Sequence, residues 1–269
     1  EPAPKRKSFF LTNNPASAAV IRFLTKRQLL AKTRGNYPAP LAALEVAGRG
    51  TRVRGGNLDR SFDREREAFV RLAETDAARN LLRLFFLQEK AKHDRHDPSI
   101  DAKSLPPVER TAVIGAGVMG AGIAQMIASR DFPVVLADLD PGRVAAGMKS
   151  VAALFDEGVK RRVFTKHEAG RKLDLVSPTA DRVPLHRCDL VIEAAVEDLE
   201  VKKKIFADLC VRTSPDTLLA TNTSALSVTE LAKAEGIIRP ERVIGLHFFN
   251  PVSRMKLVEI VTTEFTAPE

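Results

Sequence analysis

The stretch Thr111-Ala112-Val113-Ile114-Gly115-Ala116-Gly117-Val118-Met119-Gly120 decides how this chain folds. Thr111 to Ile114 form a short apolar strand, a glycine-bearing turn follows, and Val118 opens a helical pattern that runs to Arg130. The glycines stand as GxGxxG, a weak signal alone but one that here lies between a strand and a helix. Gly115 permits the tight turn, Gly117 lets backbone approach a pyrophosphate, and Gly120 lets helix and strand pack closely. At Val118 and Met119 the helix N-terminus adds unpaired N–H groups and the positive end of a dipole, which favour a phosphate. A second apolar strand, Pro133 to Ala137, leads into Asp138, 21 residues after Gly117. A carboxylate there can accept from both ribose hydroxyls and repels a 2′-phosphate. Arg143 could greet such a phosphate, but Asp138 holds the nearer position. NAD is therefore expected rather than NADP.

Outward from this core, apolar strands are expected at Leu190–Glu193, Leu218–Ala220 and Val243–Leu246, with helical patterns between most of them. That alternation predicts an α/β fold: a Rossmann-type doubly wound, mostly parallel sheet over residues 109–269. Residues 1–108 read differently, as helices and connectors. Ala16 to Ala31 carries an apolar stripe at Val20, Phe23, Leu24 and Leu30; Pro38 and Pro40 interrupt it, and Gly48 to Gly56 is a basic connection. One long helical pattern follows, through Phe62, Phe69 and Leu72 and on through Leu81, Leu82, Phe85 and Phe86. Apolar surface of that extent must pack on something. Lys90 to Ser104, ahead of Pro106-Pro107, reads as a charged linker.

The formal charge of +8 is unevenly spread. Residues 1–108 hold 21 Lys and Arg against 12 Asp and Glu, and residues 109–269 hold 21 against 22, so the first segment carries all of the excess. No aromatic platform or nucleic-acid motif accompanies it, so an acidic partner surface or simple solubility accounts for it and no nucleic acid is expected. No run approaches the roughly 20 apolar residues of a membrane helix. Glu1 to Lys7 is polar, without the apolar centre of an export signal. Cys188 and Cys210 lack metal-ligand or CxxC spacing and read as reduced thiols of a cytoplasmic protein. His93-Asp94-Arg95-His96-Asp97 invites a metal reading, but no Cys or further His lies nearby. It reads as solvated linker, and no metal is expected.

His247-Phe248-Phe249-Asn250-Pro251 places an imidazole at the end of an apolar strand, where open α/β sheets put their ligand crevice. Glu259 follows twelve residues later inside the apolar run Leu257 to Val261. A carboxylate buried in such a strand needs a partner. Paired with His247 it would orient the ring and keep it basic enough to move a proton near neutral pH. A structural histidine beside an edge-strand glutamate is the competing reading from these residues alone.

Gly115–Gly120, Asp138, Glu193-Ala194-Ala195-Val196-Glu197, Asn222-Thr223-Ser224, His247–Pro251 and Glu259 together resemble the 3-hydroxyacyl-CoA dehydrogenases in order and spacing. The resemblance implies NAD-linked oxidation of a 3-hydroxyacyl-CoA to a 3-oxoacyl-CoA. It implies His247 as the general base, Glu259 as its partner carboxylate and Ser224 at the substrate oxygen, although Ser224 could equally cap the next helix. Glu197, Lys202, Asn222 and Asn250 correspond to cofactor-side positions; without the resemblance Glu197 and Lys202 would read as ordinary helix-start charges. Lys160 and Arg161 fall where the family binds coenzyme A phosphates, with solvated surface as the other reading. Residues 1–108, including Tyr37-Pro38-Ala39-Pro40, resemble the end of the hydratase half and the linker of the multifunctional fatty-acid oxidation enzymes. The family completes its site with a helical C-terminal domain. The expectation is thus a fragment that holds NAD with little turnover, whose partners are the hydratase and helical domains, with room for a thiolase subunit. The other readings are a docking module and a relative acting on non-CoA hydroxyacids.

Overall fold

A computed structural model describes residues 15–50, 58–93, 99–101 and 103–268. Glu1 to Lys7, most of the Gly48–Gly56 connection and the Asp94–Asp97 part of the histidine-bearing stretch lie outside the described residues. The chain divides into two compact units, Glu1–Arg95 and His96–Glu269.

The first unit contains helices α1 (Pro15–Thr33), α2 (Pro38–Gly50), α3 (Leu58–Ala73) and α4 (Asp76–His93). Pro38 and Pro40 do not interrupt helix here; they open α2, because the first turn has no intrahelical N–H to lose. The chain reverses instead at Arg34 and Gly35, both with positive φ. The single long pattern expected over residues 62–86 is two helices. Thr75 parts them, its hydroxyl oxygen accepting from the Ala78 N–H at 3.2 Å. Helix α4 also runs to His93, past the expected start of the linker. Ala68 alone is buried among the described residues of this unit, while Phe23, Phe62, Phe69 and Phe86 are exposed.

The second unit is built on a seven-stranded sheet in the order β3-β2-β1-β4-β5-β6-β7. The strands are β1 (Thr111–Ile114), β2 (Val134–Ala137), β3 (Val176–Thr179), β4 (Leu190–Glu193), β5 (Leu218–Thr221), β6 (Val243–Phe248) and β7 (Val258–Val261). All pairings are parallel except that of β6 with β7. Helices α5 (Val118–Ser129), α6 (Pro141–Lys160), α7 (Lys166–Leu173), α8 (Leu199–Arg212) and α9 (Val228–Ala232) connect them.

The period of two along each strand sorts the core into two layers. Val113, Ile192 and Ala220, in register across β1, β4 and β5, pack with Ile123 and Ile127 of α5 and Phe155 of α6. Their neighbours Ala112, Val191 and Leu219 face the other way, onto Phe206 and Leu209 of α8 and Leu231 of α9. The order reverses between β1 and β4, and a crevice opens there beyond the carboxyl ends of the strands.

Candidate active site

Gly115 sits at φ +105°, and a Cβ there would lie 2.6 Å from the Ala194 carbonyl oxygen. A Cβ on Gly120 would lie 1.7 Å from the Gly115 carbonyl oxygen, so helix α5 can start against the turn only with glycine there. Gly117 differs. Nothing lies within 4 Å of where its Cβ would stand, and its φ of −71° suits any residue. No internal packing requires glycine at this position, and the open space is what a closely approaching pyrophosphate needs. No side chain caps α5, so its N-terminal N–H groups face the same space. The residues present therefore fit a dinucleotide.

Asp138, just after β2, accepts from the Ala116 N–H at 2.9 Å through one carboxylate oxygen. This bond ties the end of β2 to the glycine turn. Asp138, Gly115, Gly117, Val118 and Met119 line a cleft of about 960 Å³. The same cleft is also lined by Arg182, Asp208 and Arg212, which the sequence reading missed. Asp208 accepts from Arg182 Nε at 2.7 Å and from an Arg212 guanidinium N–H at 2.8 Å. Burial pushes the Asp208 carboxyl up, but the two arginines outweigh it and hold the group below the usual carboxylate range.

A second cleft, of about 350 Å³, is lined by Ser224, His247 and Glu259. Antiparallel register places His247 directly opposite Glu259. The Glu259 carboxylate accepts from His247 Nδ1 at 2.8 Å, and Ser224 Oγ lies 2.9 Å from Nε2. The pair forms, but for a different reason than burial: β7 is exposed along its length, and the Glu259 side chain is 52% exposed. Cross-strand register, rather than the cost of a buried charge, brings the two together. Ser224 does not cap helix α9. That task falls to Ser227, whose side chain accepts from the Glu230 N–H.

With Nδ1 donating to Glu259, a neutral His247 ring keeps its lone pair on Nε2, beside Ser224 Oγ. Such a line could serve proton removal from a hydroxyl or acyl transfer to Ser224. Acyl transfer needs backbone donors aimed at an oxyanion. Here the Ser224 N–H donates to Glu197 at 2.9 Å and the Ala225 N–H also bonds that carboxylate, so those donors are taken. Proton removal is the chemistry left.

Glu197 gathers several groups. Thr223 donates to it at 2.5 Å, and the Lys202 ammonium stands 3.5 Å away. Burial pushes the Glu197 carboxyl up, but the Thr223 hydroxyl, the Ser224 N–H, Lys202 and the Ala225 N–H bring it below its ordinary value. Lys202, expected at the cofactor, is instead 1% exposed and points inward, 2.8 and 2.9 Å from the two oxygens of Glu193. It lies on the buried stripe of α8 with Phe206 and Leu209. Asn222 is also committed internally: its side-chain oxygen accepts from the Phe248 N–H at 2.8 Å and so braces the ends of β5 and β6. Asn250 is exposed and precedes Pro251 through a cis peptide bond. Lys160 and Arg161 line neither cleft. Arg161 bonds Glu157 at 2.8 Å, as does Arg254, and the two hold the half-buried Glu157 carboxyl below its usual value, Arg254 most strongly.

The sequence model described as 3-hydroxyacyl-CoA dehydrogenase, NAD binding domain, matches residues 110–269. Among solved structures, the chain is similar to 3-hydroxybutyryl-CoA dehydrogenase from Escherichia coli K12, with 44% identity and a TM-score of 0.57 over 60% of this chain and 34% of that one. FadB2 of Mycobacterium tuberculosis matches at 39% identity and TM-score 0.58, covering 60% of this chain and 56% of its own. (S)-3-hydroxybutyryl-CoA dehydrogenase from Ralstonia eutropha matches at 34% identity and TM-score 0.57, with coverages of 60% and 56%. The chain thus spans about a third to somewhat over half of the length of these relatives.

Proposed function

Because the chain belongs to the 3-hydroxyacyl-CoA dehydrogenase family, with its NAD-binding domain at residues 110–269, we propose that it serves NAD-linked oxidation of a 3-hydroxyacyl-CoA. The observation that carries this reading is the line from Ser224 Oγ through His247 to Glu259, on the sheet whose β1–α5 turn leaves room for a pyrophosphate. His247 Nε2 takes the proton of the 3-hydroxyl, Ser224 Oγ contacts the same oxygen, and Glu259 stabilises the resulting imidazolium. The chemistry that bound NAD would supply is acceptance of the hydride from C3. Asp138 would hold the adenosine ribose hydroxyls, the N–H groups of the glycine turn would hold the pyrophosphate, and Asn250 would serve the nicotinamide end. Glu197 keeps the Ser224 turn in place.

The finer reading is fatty-acid β-oxidation within a multifunctional enzyme, in which a helical domain walls the acyl group and a thiolase subunit takes the 3-oxo product. Its support is the resemblance of residues 1–108 to the hydratase end and linker of such enzymes. The test is acetoacetyl-CoA-dependent oxidation of NADH by the complete multifunctional enzyme of this reading and by its His247→Gln variant. The variant should lose roughly 10²–10⁴ in turnover, the range of general-base catalysis, with NADH affinity preserved. Equal rates in the two proteins would remove His247 from the chemistry.

A further inference from the structure

Beneath the Ser224 turn lies a polar cluster that the proposed reaction does not touch. Glu193, the last residue of β4, has no solvent exposure at all. One oxygen accepts from the Ala195 N–H at 2.7 Å and from Lys202 Nζ at 2.8 Å. The other accepts from the Thr221 hydroxyl at 2.7 Å and from Lys202 Nζ at 2.9 Å. Register sets Glu193 beside Thr221, so strands β4 and β5 deliver the acceptor and a donor together. Lys202 has two carboxylates within reach, and it sits closer to Glu193 than to Glu197, at 3.5 Å. Glu197 therefore spends its short bonds elsewhere, on Thr223 and the Ser224 N–H.

We propose that Glu193 is a positioning residue for the reaction: by holding the Lys202 ammonium it keeps Lys202 from capturing Glu197, which stays on the Ser224 turn and so keeps Ser224 Oγ on His247. The relevance to catalysis rests on the functional reading above; the mechanical claim does not. A buried ammonium without its partner is costly and turns to the nearest anion. If Glu193 loses its charge, that anion is Glu197. Its move toward Lys202 takes it off the Ser224 N–H, and the serine that stands 2.9 Å from His247 Nε2 is released. Removing Lys202 has the opposite consequence, since Glu197 then has no cation to follow and remains on the turn.

This asymmetry separates positioning from a merely structural ion pair, for which either single change would act alike. The experiment compares the wild-type chain with Glu193→Gln, Lys202→Met and the double variant, reading the His247 ring resonances by NMR without cofactor and Tm beside them. Tm should fall in both single variants. The His247 resonances should move in Glu193→Gln alone and return to the wild-type position in the double variant. Unchanged resonances in Glu193→Gln, or an equal shift in Lys202→Met, would overturn the proposal. Should Glu193→Gln not fold, Lys202→Met and the double variant must both keep wild-type resonances, and a shift in either sinks it. NADH titration of the wild-type chain runs in parallel. Its failure would count against the functional reading and leave the NMR outcome to judge Glu193.

Discussion

At the residue scale, Asp138 combines two tasks in one carboxylate. It ties the glycine turn to β2 through the Ala116 N–H and lines the cleft that the turn borders. Asp138→Ala should weaken NADH binding by at least severalfold and narrow its preference over NADPH, which calorimetric titration with both cofactors measures. Unchanged NADH affinity in a folded variant would take Asp138 out of the site. Two other carboxylates report on pH. Glu197 and Asp208 both hold folded values below their ordinary ones. A depressed carboxylate stabilises fully above its unfolded pKa, and that contribution is lost as pH falls through the lower folded value. Tm should therefore stay level toward acid until about pH 4, the ordinary carboxylate range, and fall below it. Asp208→Asn should flatten part of that fall, and an acid limb identical to wild type would mean that Arg182 and Arg212 stabilise nothing through it.

At the element scale, the strands and helix that carry the dinucleotide turn were legible because their apolar runs and glycines are local signals. Thr111–Ile114 and Leu190–Glu193 stand where their patterns put them. Strand β3 was not legible. Ser177 and Pro178 break the apolar run, and proline is tolerated because β3 is an edge strand. The direction of Lys202 escaped for a similar reason. A charge near a helix start suggests solvent, yet Lys202, Phe206 and Leu209 follow the i, i+4, i+7 spacing of a buried face. That periodicity was the signal available. The His247–Glu259 contact depends on the register of β6 and β7, which no local pattern specifies. Helix α6 also meets the glycine turn closely: a Cβ on Gly147 would lie 2.8 Å from the Ala116 carbonyl oxygen and 2.9 Å from its Cβ. Gly147→Val should overpack this contact, costing roughly 1–3 kcal/mol. It should lower NADH affinity together with Tm, read by denaturant melts and titration; a full-strength NADH site in the variant would mean that the turn does not depend on α6.

At the scale of the whole molecule, the chain spans 34% to 56% of the length of the three relatives named above. The Glu259 side chain is half exposed, and the exposed strand that carries it forms the edge of the sheet. Orientation of bound reactants can supply roughly 7–11 kcal/mol in favourable cases. Acetoacetyl-CoA reduction by this chain should therefore run orders of magnitude below that of the complete Escherichia coli relative under the same conditions; equal rates would show that these residues already hold the acyl group. Nucleotide binding should not share this deficit, because the turn, Asp138 and the sheet beneath them all lie in one unit. The most direct measurement is a fluorescence titration of the chain with NADH, with NAD added as competitor. Saturable one-site binding that NAD displaces is the expected result, and a folded chain that left NADH fluorescence unchanged at saturating concentrations would rule out a nucleotide site in this unit.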